Sequence, residues 1–223
     1  MRKLYGKGAL SLLPTGNGFI FIALQGMKED KSVVSYKMYS FSDNKVSLIT
    51  RSVYLLAKFG NNFEFFEKTL EDYINCITAF LPDHRIMIVY PTGKGYIFDN
   101  DCVLKWEGYL TYRDHGPADI AVCDKTFWCS YPDSDAIIRY SLNTMRDEIR
   151  VGGGSSKALA EPEGLFFQND TLYIASSGSN SVKKLNVSSY AIEDYLTGEE
   201  AVHQYAMING HEIIHTESGL YKV

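Results

Sequence analysis

The loudest chemical signature in this 223-residue chain is His211-Glu212-Ile213-Ile214-His215, a literal H-E-x-x-H. In zinc hydrolases that spacing works because a helix projects residues four apart onto one face, where both imidazoles reach one ion. Here Asn209-Gly210, a hairpin signal, precedes the motif, and its centre is two β-branched residues. On a strand, residues four apart are separated by ~13 Å, too far to share a metal. The motif therefore predicts a strand and no zinc. Cys123 and Cys129 flank an Asp124-Lys125 turn, Cys76 and Cys102 stand apart, and no C-x-x-C pair occurs. That arrangement predicts buried structural thiols. Gly152-Gly153-Gly154-Ser155-Ser156-Lys157 has the composition of a phosphate loop without its G-x-x-x-x-G-K-[ST] order, and reads as a linker. No G-x-S-x-G elbow is present, so neither a metal, a cofactor nor a catalytic residue is expected from motifs.

Composition narrows the partners. A net charge of −5, with the 22 basic residues scattered, argues against nucleic acid. No apolar run approaches the ~18 residues a membrane helix needs. Met1-Arg2-Lys3 imitates a signal-peptide start, but Gly6, Lys7 and Gly8 interrupt any apolar segment behind it. Four cysteines without a secretory signal predict reduced thiols and a cytoplasmic location. The deviation is aromatic: 16 Tyr, 12 Phe and 2 Trp favour strands.

The elements that must position any site emerge from an internal repeat. Gly-Pro-Ala-Asp-Ile at 116–120 aligns with Glu-Pro-Glu-Gly-Leu at 161–165, and the offset holds without a gap for two dozen positions. Pro117 falls on Pro162, Ile120 on Leu165, Cys129 on Ile174 and Ile137 on Val182. A third copy places Asn209-Gly210 on Asn169-Asp170, and two upstream segments repeat the turn-then-strand pattern at Pro82-Asp83 and Thr15-Gly16-Asn17-Gly18. Each copy reads as four short strands separated by Asn, Asp, Ser and Gly clusters. In the fourth copy they fall near 163–168, 171–176, 181–187 and 191–196. Four-stranded units of about 45 residues are the signature of propeller blades, which bury their two apolar faces by stacking. The sequence thus predicts an all-β, five-bladed β-propeller of four-stranded antiparallel blades over residues 1–223 as a single domain, with less than about a tenth helix. A two-sheet sandwich would explain the strands but not the gapless offset. The last copy has only three strands, near 202–208, 211–216 and 219–223, so Arg2 to Tyr5 is expected to pair with it as the fourth and close the fold. Residues 53–71 exceed what a blade needs and read as an extra hairpin around Gly60-Asn61-Asn62. That hairpin would extend a blade, form a degenerate sixth blade, or serve as a lid or partner-binding flap.

Pro162-x-Gly164-Leu165, Leu172-Tyr173-Ile174-Ala175 and Ser179-Asn180-Ser181-Val182 with Leu185 resemble an NHL-repeat or YncE-like propeller repeat. That pattern usually has Asp after the Ala, where this chain has Ser176. The fourth copy matches well, the third about half, the others in outline. The resemblance implies a propeller, in a family of protein- and RNA-binding scaffolds, lactonase-like hydrolases and lyases.

In a propeller, the segment leading into each inner strand shares a rim with the loop between the second and third strands. Aligned repeats place His115, Asp119, Glu163, His203 and Tyr205 in the first set. The second set holds Tyr90, Lys94, Tyr131, Asp133, Asp135, Ser176, Asn180 and Glu217. The opposite rim carries Asn17, Asp83, Asp124-Lys125, Asn169-Asp170 and Asn209-Gly210, residues that hairpin turns require for their own geometry. Polar groups converging on a concave mouth are the default binding site. The leading expectation is a non-catalytic propeller that binds a partner protein or small ligand at this rim. The alternative is a lactonase-like hydrolase or lyase with a metal in the central channel. Against it, only Glu163 is acidic where a ligand ring is needed; the equivalent positions are Ala118, Ile77 and His203.

Overall fold

The computed structural model describes residues 1–28, 31–154 and 158–223. Strand β1 (Arg2–Tyr5) comes first. The first blade follows as β2 (Ala9–Thr15), β3 (Gly18–Lys28), β4 (Lys31–Ser40) and β5 (Lys45–Leu48). The second comprises β6 (Ile77–Phe80), β7 (Ile86–Val89), β8 (Lys94–Phe98) and β9 (Leu104–Tyr109). The third holds β10 (Ile120–Cys123), β11 (Thr126–Tyr131), β12 (Ala136–Ser141) and β13 (Asp147–Gly152). The fourth is β14 (Pro162–Gln168), β15 (Thr171–Ser176), β16 (Ser181–Asn186) and β17 (Ile192–Thr197). The last has β18 (Val202–Ile208), β19 (His211–Thr216) and β20 (Gly219–Lys222), and β1 completes it in the order β1-β20-β19-β18. Five four-stranded antiparallel sheets make the fold a five-bladed β-propeller. Arg2 pairs with Lys222 and Lys3 with Tyr221, as the missing fourth strand requires.

The strands form where apolar residues can be buried on both faces of a blade. Second strands, flanked on both sides within their blade, can be continuous apolar runs, as in Ile-Met-Ile-Val of β7, buried at every position. The outer strand β13, Asp-Glu-Ile-Arg-Val-Gly, has no fully buried residue. Two compact units divide the chain, Met1–Thr69 with Ala206–Val223, and Leu70–Tyr205. In the second, β11 shows the packing logic of period two. Phe127, Cys129 and Tyr131 pack with Met87, Val89 and Ile97 of the second blade. Trp128 packs with Leu165, Leu172, Ile174 and Leu185 of the fourth. Each such large side chain contributes about 1.5–3 kcal/mol of burial. In the first unit the core is aromatic: Phe19 stacks on Tyr39 at 5.2 Å and Tyr5 meets Phe21 at 4.8 Å.

The extra segment is helical and forms neither a hairpin nor a sixth blade. Helix α1 (Arg51–Phe59) is followed by a short 3₁₀ turn and α2 (Phe63–Thr69). Thr50 caps α1, its side chain accepting from Val53 N, and Gly60 closes it at φ 69° with its N–H on Leu56 O. The buried residues Tyr54, Leu55, Lys58 and Phe59 recur at helical spacing. A strand reading of Val53 to Leu56 followed local β propensity and missed both caps. Tyr54 ties α1 to the first blade, its hydroxyl 3.2 Å from Ser11 Oγ, and Arg51 pairs with Glu67 of α2 at 2.9 Å. Helix of every kind, the short 3₁₀ turns included, reaches 12%, a little above the tenth expected, beside 55% strand.

Candidate functional site

The second unit contains most of the residues expected at the rim, and the repeat fixes their backbone. Strands β11 and β12 are joined by a 3₁₀ turn, Pro132–Ser134, and β15 and β16 by its counterpart, Ser177–Ser179. Each turn ends on a left-handed residue, Asp135 at φ 50° and Asn180 at φ 52°. The Asp135 carbonyl accepts Gly153 N at 2.8 Å and the Asn180 carbonyl accepts Gly198 N at 2.6 Å. Asp135 and Asn180 are therefore turn-forming residues, with Asp135 Oδ1 also accepting Glu161 N at 2.8 Å.

Inner-strand starts come together where the third, fourth and fifth blades begin. Asp119 Oδ2 accepts Leu165 N and Oδ1 accepts Ile120 N, both at 2.8 Å. Ser130 Oγ accepts Asp119 N at 3.0 Å and donates to Glu163 O. Glu163 Oε2 meets His203 Nδ1 at 2.9 Å, with side chains 32% and 29% exposed. The two residues occupy corresponding repeat positions. Gly164 makes the approach possible, since an added Cβ would lie 2.6 Å from His203 O and 2.8 Å from Gln204 Cα. The Asp119 carboxyl is buried, and desolvation pushes its pKa up to about 6 against the opposing pull of its two amide donors. Its acid is spent on backbone amides of two blades. Ser130, which no motif marked, is the bridge between them.

Other expected rim residues separate into three groups. Tyr131 and Tyr205 are fully buried. The Tyr131 hydroxyl lies 2.8 Å from that of Tyr140, and burial pushes its pKa far up. Tyr205 stacks on Tyr173 at 4.8 Å. Ser176 is likewise buried, bonding both backbone groups of Ala160. His115 and Asp133 form an exposed pair at 3.1 Å. Lys94 lies over the Tyr96 ring and turns to Glu107 at 3.1 Å, and side-chain hydrogen bonds, first with Tyr96 and then with Glu107, push its pKa up. Glu217 belongs to the first unit, in the exposed turn after β19.

His211 and His215 lie on strand β19, and His211 rests on Phe41 at a ring distance of 4.4 Å. Cys129 and Cys76 are buried, and all four cysteines are unbridged. Burial pushes the Cys129 thiol up, the mark of an inert core sulfur. Residues 155–157 of the glycine-rich run lie outside the described residues; Gly152 to Gly154 lead away from β13. Among the described residues no three His, Cys, Asp or Glu side chains gather as a metal group, and no helix is long and apolar enough to cross a membrane.

Solved structures similar to this chain are propellers. A streptogramin B lyase matches with TM-score 0.60 at 12% identity, over 97% of this chain and 93% of that one. The virginiamycin B lyase from Staphylococcus aureus matches with TM-score 0.52 at 12% identity, over 95% and 64%. A computationally designed protein, Ika8, matches with TM-score 0.54 at 9% identity, over 96% and 71%. At such identities the likeness establishes the β-propeller class alone. The sequence matches no family model and no curated protein.

Proposed function

We propose that this propeller is a non-catalytic binding protein that takes a small polar ligand, or the tip of a partner protein, on the rim where Glu163 meets His203. The 2.9 Å contact between these side chains carries the reading. A carboxylate that holds one imidazole nitrogen fixes the ring and sets its charge preference, and no turn geometry calls for such a pair. Both groups keep about a third of their surface, so a ligand can reach them. The NHL-like fourth repeat supports the same reading, because relatives of that pattern include binding scaffolds. The unbridged cysteines support a reducing, cytoplasmic setting.

A thermal-shift screen of small metabolites tests the reading. Hits on the wild type should be lost in Glu163→Gln with His203→Gln and kept in Asp83→Asn with Asp170→Asn. Hits lost only in the second pair would place the site at the opposite ends of the strands.

A second reading, a lyase, is favoured by two similar structures named as lyases and by the oriented imidazole. Proton abstraction needs a positioned base, and His203 would take the proton while Glu163 steadies the imidazolium. The metal-bearing form of this reading does not fit the described residues, which offer no group of three ligands. Incubation with virginiamycin B followed by mass spectrometry decides it: consumption that disappears in His203→Gln supports a lyase, and an intact substrate leaves the binding reading alone.

A further inference from the structure

Tyr112 carries two guanidiniums. The Arg113 guanidinium carbon lies 5.3 Å from the ring centroid, and that of Arg150 lies 5.4 Å from the same point. Arg150 Nη1 also donates to the Tyr112 hydroxyl at 3.0 Å, which orients its fork. The two cations are thus no further apart than twice the distance from either to the ring. Among the described residues neither has a carboxylate within ion-pair distance, although acids are near. Asp133 is committed to His115 at 3.1 Å, and Asp135 to the Glu161 amide. Asp114 follows Arg113 in the chain and is exposed.

The backbone around this pair is shaped for approach. Tyr112 and His115 close a two-residue turn through reciprocal hydrogen bonds of 2.9 and 3.1 Å. Its central residues, Arg113 at φ 51° and Asp114 at φ 68°, are left-handed without being glycine. Such turns usually take Asn-Gly, so a cation is displayed here at a steric cost. On the other side, Gly152, Gly153 and Gly154 run at φ 82°, 78° and 61°. A Cβ on Gly153 would lie 3.4 Å from the Tyr112 hydroxyl, and one on Gly154 would meet nothing within 4 Å among the described residues. The Gly153 backbone thus lies close to the hydroxyl that Arg150 binds.

We infer that Tyr112, Arg113 and Arg150, with the Gly153-Gly154 backbone, form a binding site for the phosphate group of a small anionic ligand. Two planar forks, each presenting several N–H donors, suit the three-edged oxygen surface of phosphate better than the single edge of a carboxylate. Cation–π attraction to one ring, with the Arg150 hydrogen bond to its hydroxyl, helps to hold both forks near it before a ligand arrives, which limits the ordering cost of binding. The site does not depend on Glu163 or His203.

Pyrophosphate and inorganic phosphate, titrated at constant ionic strength against chloride and followed by thermal shift and calorimetry, test it. The wild type should be stabilised at millimolar ligand. Arg113→Gln and Arg150→Gln should each weaken the apparent affinity about tenfold, and the double variant should lose it. Melting of the variants without ligand, close to that of the wild type, shows that they fold. Arg85→Gln, whose guanidinium is already paired with Asp83 at 2.7 Å, should respond as the wild type does. Glu163→Gln should also keep the response, so the two rim sites are judged separately. No wild-type response overturns the site. So does an undiminished response in the double variant, or in Arg113→Lys with Arg150→Lys, which would reduce it to general charge.

Discussion

Asp119 fastens one blade to the next: its Oδ2 accepts the amide of Leu165, 46 positions further along the chain, at 2.8 Å. The same carboxylate takes the Ile120 amide with its other oxygen, and its neighbour Ser130 holds the Glu163 carbonyl. A single acid thus sets the spacing of two inner strands and, through Ser130, the backbone that carries Glu163.

Removing that acid should be expensive. Asp119→Ala leaves two inner-strand amides without their acceptor, and each buried orphan costs about 1–3 kcal/mol. Urea unfolding should show a loss of about 2–4 kcal/mol. A loss under half a unit on that scale would mean that other groups or water replace the carboxylate.

The pH dependence of Asp119 has a definite sign. Its folded pKa of about 6 lies above the ordinary 3.8, so protonation favours the folded state. The contribution is complete below about pH 4 and disappears as pH rises through 6, a displacement worth about 3 kcal/mol. Wild type should therefore exceed Asp119→Asn by more at pH 4 than at pH 7.5. A pH-independent difference would contradict the buried, reluctant carboxylate.

Tyr131 and Tyr140 should behave as a coupled pair. Each single Phe variant strands one buried hydroxyl, whereas the double variant removes both. A double-mutant cycle in urea should give a coupling of about 1 kcal/mol. Additive losses would show that the hydroxyls find other partners.

Gly164→Ala tests whether strand proximity creates the Glu163–His203 pair. The new Cβ would collide with the His203 carbonyl, which is backbone and cannot swing aside. The variant should lose a few kcal/mol. In NMR spectra the contact between the His203 imidazole and the Glu163 side chain should disappear. Unchanged stability with an unchanged contact would refute the close approach.

Much of this fold could be read without coordinates because the repeat supplied a ruler. An offset holding from Pro117 and Pro162 through Ile137 and Val182 places strands to within a residue or two. The unfilled fourth strand of the last blade pointed to Arg2–Tyr5. The ruler fails where the repeat is interrupted: at residues 51–69, the Thr50 and Gly60 caps are local signals that a strand-minded reading passes over. At the rim, alignment correctly made Glu163 and His203 equivalent, but it cannot tell which way a side chain points. Tyr131 and Tyr205 are buried because strand periodicity turns them toward a neighbouring blade. Asp119 is a clamp because of an amide 46 residues away, a partner invisible to composition. Arg113 and Arg150 stand 37 positions apart in sequence, and nothing but the fold sets them on one ring.

The pairing of Arg2–Tyr5 with Gly219–Lys222 also dictates the order of events during synthesis. The ribosome makes β1 about two hundred residues before its partner β20. At about 5–20 residues per second, the early strand waits on the order of ten to forty seconds with its hydrogen-bonding edge unmet. In the folded chain Tyr5 meets Phe21 of the first blade, and both residues are made early in that interval. Nascent chains should therefore hold β1 in place by side-chain packing before its backbone is satisfied. Stalling translation just upstream of β20 would trap a species with an open strand edge, the state in which a holdase chaperone or a neighbouring nascent chain could capture this protein.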